Sequence, residues 1–167
     1  MRNALLDAFE LHEAGRLDSA ACRYERVLTQ DEANADALHG LGVLSHQQGD
    51  HARAVERIGR AVVLRPDFAL AHNDLGVCLR ELHDFDAAAL HFRRAVELDP
   101  ACPLAQSNLG QLLLESGQVH EALPHCQEAV RLRPQSVYRG PDRKWSEGLL
   151  AEGGPALRRG FLCRLVP

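Results

Sequence analysis

The chain has 167 residues, 46% of them hydrophobic and 25% charged, with a formal net charge of −4. This is the composition of a folded globular protein rather than a disordered one, and its net negative charge gives nucleic acid no electrostatic support. No apolar run approaches the ~18 residues of a membrane-spanning helix. The N-terminus also lacks the basic-then-apolar pattern of a secretory signal, so no membrane contact and a cytoplasmic location are expected. Five cysteines (Cys22, Cys78, Cys102, Cys126, Cys163) form no CxxC pair and read as reduced and mostly buried. Lys144 is the only lysine beside eighteen arginines. The arginines are scattered through the chain rather than gathered as an anion site would require.

The elements repeat with a 34-residue period: Leu41-Gly42, Leu75-Gly76 and Leu109-Gly110; then Ala54, Ala88 and Ala122; then Ala61, Ala95 and Ala129; then Pro66, Pro100 and Pro134. A unit of that length reads as a helix-turn-helix repeat. Residues 1–34 form a divergent first unit. It keeps Leu11, Gly15, Ala20 and Tyr24 but has Asp7, Ala8, Val27 and Glu32 where its successors have Leu, Gly, Ala and Pro. Divergence is expected of a terminal unit, since nothing stacks on its outer face. The regular units follow at 35–68, 69–102 and 103–136. In the third, Leu75, Leu79 and Leu82 mark one apolar stripe, and Phe85, Ala88, Ala89, Phe92, Ala95 and Val96 mark a second, both at helical spacing.

Turns within units are predicted at Gly15, Gly49, His83 and Gly117, where three glycines suit positive φ after a helix. The prolines are predicted to end each second helix. Gly42, Gly76 and Ala88 lack bulk where helices must approach closely, while Tyr24, Ile58 and Phe92 are large enough to fill the space between units.

Residues 137–167 break the register. Their six basic and three acidic residues reverse the balance of residues 1–136, which hold thirteen arginines against twenty acids. Trp145, Leu149 and Leu150 suit one short amphipathic segment, and Ala156, Leu157, Phe161, Leu162 and Leu165 suit another. Three readings stay open for this basic tail: a helix capping the array, a truncated or out-of-frame end replacing further repeats, and a partner-binding tail.

The segments ADALHGLGVLSHQQGDHARAVERIGRAVVLRPDF, LAHNDLGVCLRELHDFDAAALHFRRAVELDPAC and LAQSNLGQLLLESGQVHEALPHCQEAVRLRPQS resemble tetratricopeptide repeats. The resemblance implies an all-α fold, a right-handed α-solenoid of four repeats followed by the divergent tail. The first and second of these segments are similar to the repeat arms of O-linked N-acetylglucosamine transferases and related bacterial proteins. In that family an asparagine ladder at the sixth position of each unit grips a peptide backbone. Here Asn108 alone matches, the equivalents being Leu6, Gly40 and Asp74, with Asn73 one residue out of register.

Catalytic signatures are missing: no HExxH, GxxxxGK[ST] or GxSxG occurs, and no strand-borne GxGxxG. No catalytic residue, cofactor or metal is therefore assigned. Among nine histidines, His12 and His46 share one repeat position and His91 and His125 share another. Equivalent positions of stacked helices lie about 8–10 Å apart, too far to share a metal directly.

Family resemblance implies that the second, fifth, sixth, ninth, twelfth and thirteenth positions of each unit line a concave groove. These are Asp36, His39, Val43, His46 and Gln47; then Leu70, Asn73, Asp74, Val77, Arg80 and Glu81; then Leu104, Ser107, Asn108, Gln111 and Glu115. Amides that donate and accept suit the backbone of an extended peptide, and Val43, Val77, Leu70 and Leu104 offer apolar contact. Cochaperones of this family clamp an acidic C-terminus with lysines and arginine. Here Arg80 stands nearly alone and Glu81 and Glu115 would repel such a terminus, so a neutral or basic partner is expected. The function expected is a non-enzymatic protein-interaction scaffold that binds a peptide or partner segment. The alternatives are a glycosyltransferase's recruiting arm, stand-alone or truncated, and a module that self-associates through Leu113, Leu123 and Val130.

Overall fold

The computed structural model describes residues 4–132, which form eight α-helices and, among those residues, no strand. In chain order they are α1 (Ala4–Glu13), α2 (Leu17–Gln30), α3 (Ala35–Gln47), α4 (His51–Leu64), α5 (Ala69–Glu81), α6 (Phe85–Leu98), α7 (Pro103–Glu115) and α8 (Val119–Leu132). Two compact units hold them, one ending at Leu98 and the other beginning at Asp99. Pro134, Cys163 and the readings of the basic tail lie outside the described residues.

Each helix pair is joined by a tight turn whose key residue has positive φ: Gly15 at 72°, Gly49 at 80°, His83 at 63° and Gly117 at 78°. Glycine adopts this conformation freely, whereas His83 carries a Cβ that the left-handed region disfavours. Side-chain caps start several helices. The Asn34 carboxamide accepts from Ala37 N at 3.0 Å, Asp50 from Arg53 N at 3.0 Å and Asp84 from Ala87 N at 3.2 Å, each satisfying an amide that has no partner within its helix. α4 and α6 stop at Leu64 and Leu98, two residues before Pro66 and Pro100. A residue preceding proline is pushed out of the helical region, and Arg65 accordingly sits at φ −135°.

In the first unit α1 packs on α2, α3 on α4 and α5 on α6, and α2 and α4 pack on the helices that follow them. The glycines make room within each pair. A Cβ added to Gly76 would stand 2.6 Å from Phe92, and one added to Gly42 would strike Ile58. Tyr24 reaches further: its ring lies where a Cβ of Gly40, in the next repeat, would stand, 2.5 Å from Cζ. Ala8, Ala20, Val27, Ala37, Leu41 and Leu44 complete the core around that ring. In the second unit α7 packs on α8, and Gly110 faces Cys126 in the same manner.

Two expectations need correction. Leu82 and Phe85, placed in the apolar stripes, are 45% and 46% exposed, because they flank the turn at His83 beyond the reach of the neighbouring helix. Of the four described cysteines only Cys78 and Cys126 are buried, and Cys22 is exposed on α2. As for the residues assigned to self-association, Leu113 is buried, and Leu123 and Val130 are half-buried.

Candidate functional site: the face of the first helices

In the first unit α1, α3 and α5 are neighbours, and two side-chain bridges tie them together. His12 Nε2 on α1 lies 3.2 Å from Gln47 Oε1 on α3, and His39 Nε2 on α3 lies 2.7 Å from Asp74 Oδ2 on α5. Both acceptors are oxygens without a proton, so each imidazole donates from Nε2. Both bridges span 35 residues, one repeat plus one. The fifth or twelfth position of one unit thus meets the sixth or thirteenth of the next.

The His39–Asp74 bridge belongs to a longer run. His39 is buried, with its ring centroid 4.9 Å from that of Phe68. Arg65, just past the end of α4, lies 3.7 Å over the same Phe68 ring. It also donates through both terminal nitrogens to Asp36, at 2.6 and 3.2 Å, a forked geometry that lysine cannot reproduce. At the other end Asn73 Nδ2 donates to Asp74 Oδ1 at 3.1 Å, and Asn73 itself is only 4% exposed. Asp36, His39, Asn73 and Asp74 therefore hold the face together more than they project from it.

Further along, His46 and His51 bring their Nδ1 atoms within 3.0 Å. Burial holds the His46 imidazole below its ordinary pKa and His51 lowers it further; Glu81 and Asp74 oppose this, and Arg80 adds to it. The face is thus neutral at His46 near pH 7. Arg80 is largely covered, with Nη2 3.9 Å from Glu81 Oε1 and Nη1 buried without a protein partner. Gln47, Leu70 and Glu81 are exposed, and Val43 and Val77 are half-buried. In the second unit, α7 carries Ser107, Asn108 and Gln111 half-buried, with Leu104 and Glu115 exposed. Gln111 Nε2 donates to Glu115 Oε1 at 3.0 Å.

Position rules begun at Asp36 omitted the first repeat. Extended to it, the same rules place Leu6 and Phe9 on this face, and both are exposed. Phe9 packs edge-on against Tyr24, with centroids 5.7 Å apart. Arg65 and Phe68 lie near a helix junction, where no position rule reaches. An open depression of about 580 Å³, lined by Leu11, Arg16, Ser19, Cys22, Arg23 and Arg26, shares no residue with the face. Among the described residues no three His, Cys, Asp or Glu side chains are grouped to hold a metal ion, and no helix is long and apolar enough to cross a membrane.

The tetratricopeptide repeat family model matches residues 10–63, 47–100 and 79–137. Solved structures give the same fold. MamA is 25% identical over 76% of this chain and 74% of its own, with a TM-score of 0.68. YrrB, described as a TPR protein with an unusual peptide-binding site, is 24% identical over 78% of this chain and 68% of its own, with a TM-score of 0.69. A mutant O-GlcNAc transferase of Thermobaculum terrenum is 28% identical over 77% of this chain, with a TM-score of 0.72, and the match spans 25% of that enzyme. No curated protein sequence matches the chain significantly.

Proposed function

Because the chain belongs to the tetratricopeptide repeat family, we propose that it is a non-enzymatic scaffold that holds a peptide or partner segment against the face of α1, α3 and α5. The observation that carries this reading is the pair of bridges His12–Gln47 and His39–Asp74. They fix the first helices side by side before any partner arrives, and a preformed face loses less freedom on binding. The same helices carry Leu6, Phe9 and Leu70, exposed and apolar, with Gln47 and Glu81 as exposed polar groups. Apolar anchors among a few polar groups suit an extended segment. With Glu81 open and His46 neutral, a neutral or basic segment fits better than an acidic one.

The experiment is a pulldown with partner identification, repeated with Leu70→Ala combined with Arg80→Ala. Loss of partners with unchanged helical circular dichroism supports the reading; an unchanged set of partners removes it.

Likeness to the transferase arm favours a second reading, recruitment of acceptor peptides through their backbone. In the first unit, however, the ladder positions are otherwise occupied: Gly40 makes room for Tyr24, and Asp74 accepts from His39 and Asn73. The scaffold reading is therefore preferred. Alanine-scanned partner peptides separate the two, since backbone recruitment tolerates side-chain truncation and anchored docking does not.

A further inference from the structure

Two repeats build the same hydrogen-bond relay from different residues. In the second unit Gln106, at the fourth position of its repeat, donates from Nε2 to the Pro100 carbonyl at 2.9 Å. Its Oε1 accepts from His125 Nδ1 at 2.8 Å. In the first unit, His72 holds the equivalent position. Its Nε2 lies 3.1 Å from the Pro66 carbonyl and its Nδ1 3.0 Å from His91 Nδ1. The sequence separations, 6 and 19 residues, are the same in both relays.

The chemistry of the partners fixes the protons. A carbonyl oxygen only accepts, so His72 must carry its hydrogen on Nε2. Neutral His72 then offers a lone pair at Nδ1, and His91 must donate to it from its own Nδ1. In this tautomer an imidazole imitates a glutamine side chain, with a donor at one end and an acceptor at the other. A first proton is tolerated, because a cationic imidazole donates from Nδ1 to the neutral one. The imitation fails when both rings are protonated: each Nδ1 then carries a hydrogen, and two N–H groups face each other across 3.0 Å. The amide of Gln106 takes up no proton in this range and goes on accepting from His125 Nδ1.

We infer that His72 and His91 form an acid-sensitive latch that fastens the α4–α5 connection to the third helix pair, a device that the Gln106–His125 relay lacks. The surroundings are consistent with this. From α6, His91 and the cation of Arg94 act on the pair; the connection presents the uncharged Pro66 carbonyl. Arg57 of α4 is committed to Leu41 O and Ser45 Oγ of α3, and Arg65 to Asp36; Arg53, Glu56 and Arg60 are exposed, as is Asp67 in the connection. Burial holds both imidazoles below their ordinary range; the Pro66 carbonyl opposes this at His72, Arg94 adds to it there, and His72 adds to it at His91. A histidine whose folded pKa is depressed stabilises the fold above its unfolded value of 6.5 and loses that contribution as pH falls below it. Pro66 lies between Arg65 and Phe68, the two residues that hold Asp36 and His39, so opening the latch loosens the support of the α3 face.

The test is denaturant unfolding of the full chain between about pH 7.5 and 5, comparing the wild type with His72→Gln and, as the reciprocal exchange, Gln106→His. The wild-type unfolding constant should rise more steeply with acid than that of His72→Gln, by up to about tenfold per pH unit for one proton. Gln106→His should steepen it again. Parallel pH profiles for wild type and His72→Gln overturn the latch. Should His72→Gln not fold, imidazole nitrogen resonances of the wild type decide instead: neutral His72 protonated at Nε2 sustains the latch, and protonation at Nδ1 overturns it.

Discussion

Replacing Gly76 and Gly59 by alanine should have opposite effects on stability, although both lie inside helices. At Gly76 the new Cβ would stand 2.6 and 2.7 Å from Cε1 and Cδ1 of Phe92 and 3.1 Å from Cγ. Carbon atoms pack comfortably at about 3.5–4.0 Å, so the ring must retreat by roughly 1 Å. It has little room to do so, because Phe92 is 0% exposed and the contact reaches the root of the ring rather than only its far edge. Overpacking of this kind costs about 1–3 kcal/mol. Replacing a mid-helix glycine returns about 0.5–1 kcal/mol of backbone entropy, leaving a net loss of up to about 2.5 kcal/mol. Gly59 in α4 has nothing within 4 Å of a new Cβ, so only the gain of about 0.5–1 kcal/mol remains. Chemical denaturation followed by circular dichroism reads both, at about 2–4 °C per kcal/mol if heat is used instead. Phe92→Leu in the Gly76→Ala background should recover part of the loss, the non-additivity expected of contacting side chains. Gly76→Ala as stable as Gly59→Ala would refute the packing argument, and with it the explanation of the leucine-glycine period.

Two further substitutions probe the repeat directly. Ala88→Glu places a carboxylate at a fully buried position of α6, costing about 3 kcal/mol or more through desolvation and overpacking; an unchanged melting curve would contradict the assigned register. His83→Gly removes the Cβ from a residue held at φ 63° and should stabilise the turn by about 1 kcal/mol, less whatever the His83–Phe85 ring contact contributes. A loss in the same denaturation assay would mean that the ring contact outweighs the backbone relief.

Architecture was legible because the period registers several independent requirements at once: a small residue where helices meet, positive φ in the turn and a proline after the second helix. His83 shows how strong that register is, since the backbone takes the left-handed conformation there even without glycine. The face was less legible. Position numbering assigns a residue to a surface but not to the partner it meets, and Asp74 and Asn73 read as open when the first accepts from His39 and the second is buried. The 35-residue offset of the bridges was present in the sequence as His39 with Asp74 and His12 with Gln47. It acquires meaning only once adjacent first helices are known to be displaced by one residue.

Gly40 makes the same point about a departure that resembled a defect. Against an asparagine ladder it looks like a missing rung. Yet position 24 of the first repeat is Tyr, where the later repeats have Ile58, Phe92 and Cys126. The ring of Tyr24, buried in one core cluster with Ala8, extends to the space where the sixth residue of the next repeat would begin its side chain. Any Cβ there would meet the ring at 2.5–2.9 Å, so the tyrosine and the glycine form one packing solution. A polar rung at position 40 is incompatible with a tyrosine at position 24. At position 40 the rung is excluded by core volume, a constraint that acts from behind the face and that no reading of the face alone contains.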